Sequence, residues 1–492
     1  MIVARYGVWM VLAAAAAPGP VWAEDASAGE RIARVERGLL PAVVFQGESG
    51  RPADIASRMR YHKVPGLGIA VIEGGRLRWA RGYGVTAAGG QTPVSPATLF
   101  QAGAASKPVA ALAALLLVQE GTLDLDADVN DRLVSWKVPE NPFTASQKVT
   151  LRQLLSHTAG VNVDGFPGYA AGEPLPTLVQ VLGGAAPARS AAVVVDQVPG
   201  SAFRQSGGAF VIVQQLLEDV TKEAFAGLAR RTVLSRLGMD DSTYEQPLPA
   251  GRAAAAARGH RADGAAVEGG WRVYPEQCAA GLWTTPSDLA RFAVAVAAAA
   301  DGGGEHLLTR ETARLMLTPQ AKNAALGLFV DGAGEAEHFS HAGRNAGFDA
   351  VMVMYPRAGC GAVVMMNANN NSGMAAEVLD SVAKEYGWPG HRPAAQREVF
   401  RVDPDTLHRY EGSYRVKGGP AVAVRCEGDR LFVNFPGLGT TELFGESETT
   451  FFVAPAPLRF TFEIGAGGGA ADTLVIKANG QSQTAAREPA GN

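Results

Sequence analysis

The sequence predicts an α/β domain, built on a mixed antiparallel sheet flanked by helices, followed by a small all-β barrel. The chain has 492 residues, more than one ordinary hydrophobic core organises. Within 24–388, strand and helix patterns intermingle without the regular alternation of a doubly wound fold. Residues 401–487 carry short strand patterns at close spacing, and we interpret 389–400 as the linker before them.

Each element follows from a local pattern. Two apolar runs in 66–85 flank Glu73-Gly74-Gly75, which predicts a β-hairpin. Helical patterns lie at 30–39, 108–120, 209–221, 289–299 and 374–386. Strand patterns lie at 347–355 and 361–367 in the first domain, and at 421–425, 430–435, 449–453, 459–464 and 473–477 in the barrel.

Residues 1–23 have the pattern of a signal peptide. Arg5 precedes an apolar stretch at 8–17, and Ala23 is a small residue before a plausible cleavage point. The stretch is shorter than the roughly 20 apolar residues that span a bilayer. The alternative is an N-terminal helix that stays in the folded chain. We expect an exported protein, periplasmic or secreted, without a transmembrane segment after signal removal.

Composition narrows the class of partner. Hydrophobic residues make up 47% and charged residues 19%, as in globular proteins. The formal net charge of −4 argues against nucleic acid, because phosphate binding needs a basic surface. Cys278, Cys360 and Cys426 are widely separated, and no metal-ligand spacing occurs. We expect no metal, no cofactor and free thiols; the alternative is one disulfide, for which the sequence selects no pair.

The entry into the helix at 108–120 carries the strongest chemical signal. The sequence contains no GxSxG elbow, HExxH, Walker loop or dinucleotide fingerprint. Ala104 stands three residues before Lys107, a spacing that places both side chains on one helix face. A serine at the first position would be activated by the helix N-terminus and a desolvated lysine. Here that position carries a methyl group.

Six blocks in a fixed order carry a resemblance to a known family. They are 104–107 (AASK), 154–160 (LLSHTAG), 165–169 (GFPGY), 199–208 (PGSAFRQSGG), 280–289 (AGLWTTPSDL) and 341–345 (HAGRN). Together they resemble the class C β-lactamase-related serine hydrolases, an SxxK family that includes penicillin-binding proteins, esterases and D-amino-acid peptidases. The resemblance implies a β-lactamase/transpeptidase-like fold. Residues 410–414 (YEGSY) are similar to the lipocalin-like barrel that some members append.

The resemblance assigns the covalent chemistry to three positions. The family's nucleophilic serine corresponds to Ala104, and its proton-shuttling tyrosine corresponds to Gln205. The lysine that takes the serine's proton corresponds to Lys107. Both the nucleophile and the tyrosine are therefore lost, while the base is retained.

The resemblance also assigns a substrate-binding strand. The family's HxG motif is intact as His341 and Gly343, and Arg344 and Asn345 follow it. The backbone N–H groups of Ala104 and Arg344 would form the oxyanion hole, since neither donor depends on a side chain. The substrate-binding strand and the backbone donors of the site are thus expected to be retained.

These assignments predict a hydrolase homologue that binds a peptide-like, ester-like or β-lactam-like ligand without normal acyl-enzyme turnover. Loss of a serine nucleophile costs roughly 10⁶-fold in turnover, and Gln205 cannot titrate near neutral pH. One alternative is an active esterase, β-lactamase or D-aminopeptidase that uses Lys107 with water or another serine. Another is a periplasmic interaction module whose barrel binds a partner. We favour natural loss over an engineered substitution, because the two changes lie on different elements. The oligomeric state stays open.

Five residues near these motifs also have structural interpretations. Ser106 is expected to face away from Lys107's partner position, and Ser206 would need a shift to reach the cavity. His157 is interpreted as a structural turn residue, with a place in the substrate wall as the alternative. Trp283 is interpreted as a core residue, with a stacking platform for a ligand as the alternative. For Arg344, binding of a ligand carboxylate and exposure to solvent remain equal alternatives.

Overall fold

The structure, a computed structural model, describes residues 26–302, 307–369, 373–393, 395–436, 439–454 and 456–489. The signal peptide predicted at 1–23 lies outside these residues. The helices are α1 (Ala26–Glu36), α2 (Ile55–Tyr61), α3 (Ser106–Gln119), α4 (Pro142–Ser146), α5 (Leu151–Leu155), α6 (Leu178–Gly183), α7 (Gly207–Thr221), α8 (Phe225–Ala229), α9 (Ala250–Ala253), α10 (Gln277–Ala280), α11 (Pro286–Asp301), α12 (Arg310–Met316), α13 (Gly373–Tyr386) and α14 (Pro404–His408). The strands of the first domain and the junction are β1 (Val43–Phe45), β2 (Gly66–Glu73), β3 (Arg76–Gly84), β4 (Phe100–Gln101), β5 (Trp283–Thr284), β6 (Phe329–Asp331), β7 (His338–Asn345), β8 (Phe348–Tyr355), β9 (Cys360–Met366) and β10 (Arg397–Val399). The remaining strands are β11 (Gly412–Val416), β12 (Ala421–Glu427), β13 (Arg430–Phe435), β14 (Gly439–Gly445), β15 (Thr450–Val453), β16 (Ala456–Glu463), β17 (Thr473–Ala478) and β18 (Gln481–Arg487).

A six-stranded antiparallel sheet organises the first domain, in the order β3-β2-β9-β8-β7-β6. The inner strand β2 is buried on both faces. Leu67 and Ile69 pack toward α1 and α13, whereas Ala70 and Ile72 pack toward α3, α7 and α11. This two-sided burial explains why β2 is an unbroken apolar run rather than an alternating one. The hairpin predicted at 66–85 is confirmed as β2 and β3.

The helix α3 lies inside the first domain. Its residues from Ser106 to Leu117 are buried, because almost every position is small or apolar. A helix that is apolar on all sides is typical of a core position rather than of a surface one. The core helix therefore brings Lys107, in its first turn, into the interior.

The second domain is a closed barrel in which β11 to β18 pair antiparallel in sequence and β18 returns to β11. Aromatic side chains fill its interior: the rings of Tyr410 and Phe462 stack with centroids 4.4 Å apart, and Phe451 lies 5.7 Å from each. The predicted barrel is confirmed. The sequence analysis missed β11, β14 and β18; in β18 the buried residue is Ala485, too small to give a strand pattern.

Backbone pairing and side-chain contacts join the domains, among them an ion pair between Lys63 and Glu427. β1 pairs in parallel with β10, so the segment interpreted as a linker contains a strand. At the end of α2, the Tyr61 hydroxyl donates to Glu442 at 3.1 Å, and Arg430 donates to the Tyr61 carbonyl at 2.7 Å. The barrel is therefore held against the first domain by polar contacts as well as by backbone pairing.

None of the helices named above has the length and hydrophobicity that crossing a bilayer requires. Cys278, Cys360 and Cys426 are free thiols, as expected, with the first two buried and the third half-buried.

Candidate functional site

The turn that leads into α3 lies directly against the backbone of β7. Gly103 has a φ of +53°, and a Cβ added there would lie 2.5 Å from the amide nitrogen of Arg344. A Cβ added at Gly343 would overlap the carbonyl oxygen of Ala102. Two glycines therefore allow a close approach of backbones that side chains would prevent. This approach brings the amides of Ala104 and Arg344 to the same end of the cavity, although their role as an oxyanion hole stays a prediction.

A cavity of about 330 Å³ opens at this turn. Six of the seven predicted site residues line it, namely Ala104, Lys107, Gln205, Gly343, Arg344 and Asn345. Asp164 and Phe166, from the loop before α7, line the same cavity, as do Ala279 and Ala280 of α10. The structure thus brings together residues from five separate stretches of the chain.

Lys107 is the buried cation of the cavity. It is 3% exposed, and its Nζ donates to the carbonyl of Ala279 at 3.2 Å. The Phe210 ring centroid lies 5.7 Å from Nζ. Burial lowers the pKa of Lys107 to about 8, while the Asp164 carboxylate acts in the opposite direction. A lysine with this pKa is partly neutral in mildly alkaline solution and can then accept a proton or act as a nucleophile.

Gln205 is held over the cavity by its neighbours and not by its own side chain. The N–H of Arg204 donates to the carbonyl of His157 at 2.8 Å, and the N–H of Ser206 donates to Nδ1 of the same histidine at 3.1 Å. Burial lowers the pKa of His157 well below its usual value, and the nearby Lys107 lowers it further. His157 is therefore a neutral acceptor that positions the loop, in agreement with its structural interpretation.

His341 lies behind the cavity wall rather than on it. Its Nδ1 donates to the carbonyl of Ala342 at 2.7 Å, and its ring centroid lies 5.4 Å from that of Phe329. Its Nε2 is buried and has no hydrogen-bond partner within the described part of the chain. Burial, assisted by Lys107, lowers the pKa of His341 to about 3. The side chain is thus a neutral imidazole with an open acceptor.

Arg344 and Asn345 are both engaged in contacts within the protein. Arg344 lies opposite Asp349 in the β7–β8 register, and its Nε and Nη2 donate to that carboxylate at 2.8 and 3.3 Å. Neither of the two alternatives considered for Arg344 included this cross-strand pair. Asn345 donates to the side chain of Gln101 and to the carbonyl of Ala280, each at 3.0 Å. Asn345 therefore fixes the position of α10, which forms one wall of the cavity.

The two serines considered as alternative nucleophiles are bound to backbone groups. The Ser106 hydroxyl donates to the Gly103 carbonyl at 2.6 Å and accepts from the N–H of Leu282 at 3.0 Å. The Ser206 hydroxyl donates to the Asn162 carbonyl at 2.7 Å and caps the N-terminus of α7. Trp283 is a buried core residue, in contact with Phe348.

Sequence reasoning missed Asp164 and Glu276. Asp164 immediately precedes the GFPGY block, and its carbonyl accepts from the N–H of Gly207 at 2.8 Å, which ties the loop to α7. Glu276, the residue before α10, is fully buried, and neither carboxyl oxygen has a partner in the described chain. Burial raises the pKa of Glu276 to about 7. Asp164 could have been identified from its position next to the GFPGY block. No local sequence pattern distinguishes Glu276.

The described residues contain no cluster of three or more potential metal ligands.

Each of the two domains matches a known family of protein domains. Residues 53–386 match the Beta-lactamase family, and residues 396–486 match a domain of unknown function, DUF3471. Over 459 residues the chain is 23% identical to a penicillin-binding protein of Bacillus subtilis (strain 168), covering 85% of this chain and 94% of that protein.

Two solved structures show the same fold. The octameric penicillin-binding protein homologue from Pyrococcus abyssi has a TM-score of 0.58 at 21% identity, covering 88% of this chain and 98% of that one. The D-alanine carboxypeptidase AmpC from Burkholderia cenocepacia has a TM-score of 0.54 at 20% identity, covering 73% and 99%. Because the family match spans most of the chain and agrees with the sheet, the core helix and the cavity, this protein belongs to the β-lactamase family and has its penicillin-binding-protein-like serine-hydrolase fold.

Proposed function

We propose that this protein is an exported, ligand-binding member of the β-lactamase family in which acyl-enzyme turnover is lost. Its cavity holds a peptide-like, ester-like or β-lactam-like ligand as a noncovalent complex. One observation carries the proposal: among the residues that the structure describes, those that line the cavity include no serine, threonine, tyrosine or cysteine. Ala104 and Gln205 stand where the family's nucleophile and proton shuttle belong.

The contacts of the neighbouring serines support the same proposal. Ser106 and Ser206 both donate to backbone carbonyls and accept from backbone N–H groups. Either serine would have to give up these buried bonds to attack a ligand, at a cost of about 1–3 kcal/mol for each group left unpaired. A substitute serine nucleophile is therefore unfavourable in this arrangement.

The binding surface itself is preserved. Gly103 and Gly343 keep the turn against β7, and Asn345 holds the α10 wall in place. Backbone donors bind a carbonyl oxygen whether or not a nucleophile is present. A pseudoenzyme that retains affinity and lacks turnover is the function this combination supports best.

Restoring both lost groups tests the proposal. The Ala104→Ser/Gln205→Tyr variant should hydrolyse a chromogenic cephalosporin or a p-nitrophenyl ester at least about 10³-fold faster than the native chain. Ala104→Ser alone should gain less, because it lacks the titratable hydroxyl. Adding Lys107→Met to the double variant should remove the gained activity, which shows that it arises in this cavity.

The native chain gives the decisive comparison. It should bind the same compounds, measured by calorimetry or thermal shift, without product formation. Native turnover that Lys107→Met abolishes, or stoichiometric fluorophosphonate labelling of a native serine mapped by mass spectrometry, would contradict the proposal and favour the active hydrolase.

A further inference from the structure

The cavity retains one nucleophilic group that acyl transfer to serine would use only as a base. Lys107 reaches the cavity through its Nζ, and its hydrogen bond to the Ala279 carbonyl leaves other positions on that nitrogen unused. No carboxylate in the described chain forms an ion pair with Lys107. The amine is therefore not held as an ammonium ion by a direct partner.

We propose that Lys107 forms a reversible imine with small carbonyl compounds, 2-oxo acids or aldehydes, so that the cavity captures such ligands covalently. This activity goes beyond the proposed function, since it needs neither the lost serine nor the lost tyrosine. Imine formation requires a neutral amine, a carbonyl carbon within reach and a group that transfers protons.

The surroundings of Lys107 favour the neutral form of its amine. Lys107 is 3% exposed and lies near the Phe210 ring and two neutral imidazoles, His157 and His341, both of which interact with it electrostatically. Burial lowers the pKa of Lys107 to about 8, so about half of the amine is neutral at that pH. The Asp164 carboxylate opposes this shift without abolishing it.

The shape of the cavity limits the size of the ligand. Its walls near Lys107 consist largely of small residues, Ala104, Ala279, Ala280 and Gly343, within a volume of about 330 Å³. The methyl group of Ala104 leaves the space of a serine hydroxyl open. A compound of a few carbon atoms can therefore bring its carbonyl carbon to Nζ, and the predicted oxyanion hole of the Ala104 and Arg344 amides would receive an oxygen.

The step balances without any added oxidant or reductant. The lone pair of the neutral Lys107 amine forms the N–C bond, and the carbonyl π electrons move to oxygen. The nitrogen loses a proton and the oxygen gains one, with Asp164, which lines the same cavity, as the group that transfers it. Protonation of the resulting hydroxyl lets it leave as water while the nitrogen lone pair forms the C=N bond, and loss of the remaining N–H proton from the protonated imine returns the proton that was used. Hydrolysis reverses the sequence and releases the carbonyl compound.

Reductive trapping tests the proposal on the full-length native protein. Glyoxylate with sodium cyanoborohydride at pH 8 should convert Lys107 to a carboxymethyl-lysine, located by peptide mass spectrometry. Lys107 should react at least about 10-fold faster than Lys148, an exposed lysine whose pKa is raised by Glu140. The rate at Lys107 should rise with pH to a plateau with a midpoint near 8, a profile that a purely structural lysine would not give.

Comparison probes define the ligand and the failure conditions. Trapping of propionaldehyde at the same concentration identifies the ligand class. If Lys107 traps glyoxylate faster, the cavity recognises 2-oxo acids; if both are trapped equally fast, it recognises only the carbonyl group. Lys107→Arg, checked for folding by circular dichroism, should lose the adduct. Modification of native Lys107 no faster than Lys148 overturns the proposal. Because no hydrolysis is measured, this failure is distinct from failure of the proposed function.

Discussion

At the residue scale, the protonation of Lys107 depends on a balance between burial and one carboxylate. Burial favours the neutral amine, and Asp164 favours the ammonium form. Asp164→Asn removes the second contribution, so the pKa of Lys107 should fall further below 8. The shift can be measured by NMR titration of the Lys107 side chain in protein with isotope-labelled lysine.

A carboxylate outside the cavity provides the control for this prediction. Asp196 pairs with Arg204 at the surface and does not line the cavity. Asp196→Asn should leave the Lys107 titration unchanged. An equal shift in both variants, or a rise in the Asp164→Asn protein, would contradict the assignment of Asp164 as the stabilising charge.

The same residues show what a sequence can reveal about a site. Ala104, Lys107 and Gln205 were found because each has a fixed place in an ordered motif. The partner of Arg344 was not found, since Asp349 becomes its neighbour only through the β7–β8 register. Contacts set by strand register or loop conformation have no signature in the local pattern.

At the scale of elements, α10 links a buried acid to the cavity. Glu276 lies at its start, while the carbonyls of Ala279 and Ala280 accept from Lys107 and Asn345. Burial raises the pKa of Glu276 from 4.5 to about 7, so the folded state holds a proton that the unfolded chain releases. The free energy of unfolding is therefore unaffected by Glu276 below about pH 4.5, decreases as pH rises from there to about 7, and changes little further at higher pH.

Glu276→Gln replaces the acid with a neutral group of similar shape and should remove this pH dependence. At pH 8 the variant should be more stable than the native protein by about 3 kcal/mol, and at pH 4 the two should be equal. Urea denaturation at both pH values measures the difference. The exposed Glu268→Gln change is the matched control and should alter neither value. A native protein of equal or greater stability at pH 8 would contradict the prediction.

Elements differ in how clearly the sequence marks them. The core helix α3 and the hairpin of β2 and β3 were predicted because long apolar runs leave few alternatives. In the barrel, β18 was not predicted, since seven mostly polar residues with one buried alanine resemble a loop. Its strand conformation comes from closing the barrel between β17 and β11, which is a property of the assembled domain.

At the scale of the whole molecule, α2 couples the two domains. The guanidinium groups of Arg58 and Arg430 lie 4.3 and 4.2 Å from the centroid of the Tyr61 ring. Arg58 is bound to Glu377 of α13, at 2.6 and 2.7 Å, and Arg430 is bound to Glu442 of β14. These contacts therefore form a continuous connection from α13 through α2 to the barrel strands β13 and β14.

Arg430→Ala should loosen this connection, because it leaves the half-buried Glu442 carboxylate with the Tyr61 hydroxyl as its remaining donor and removes the donor to the Tyr61 carbonyl. Breaking a largely buried ion pair costs about 3 kcal/mol. Because this pair lies at the domain junction, its loss should weaken the attachment of the barrel to the first domain. Limited proteolysis should cut the variant within 389–400 several-fold faster than the native chain, as followed by mass spectrometry. The control is Arg415→Ala, which removes an exposed pair with Glu488 inside the barrel and should leave the junction protected. Equal cleavage of the native and Arg430→Ala proteins would contradict the assignment of Arg430 as the residue that protects the junction.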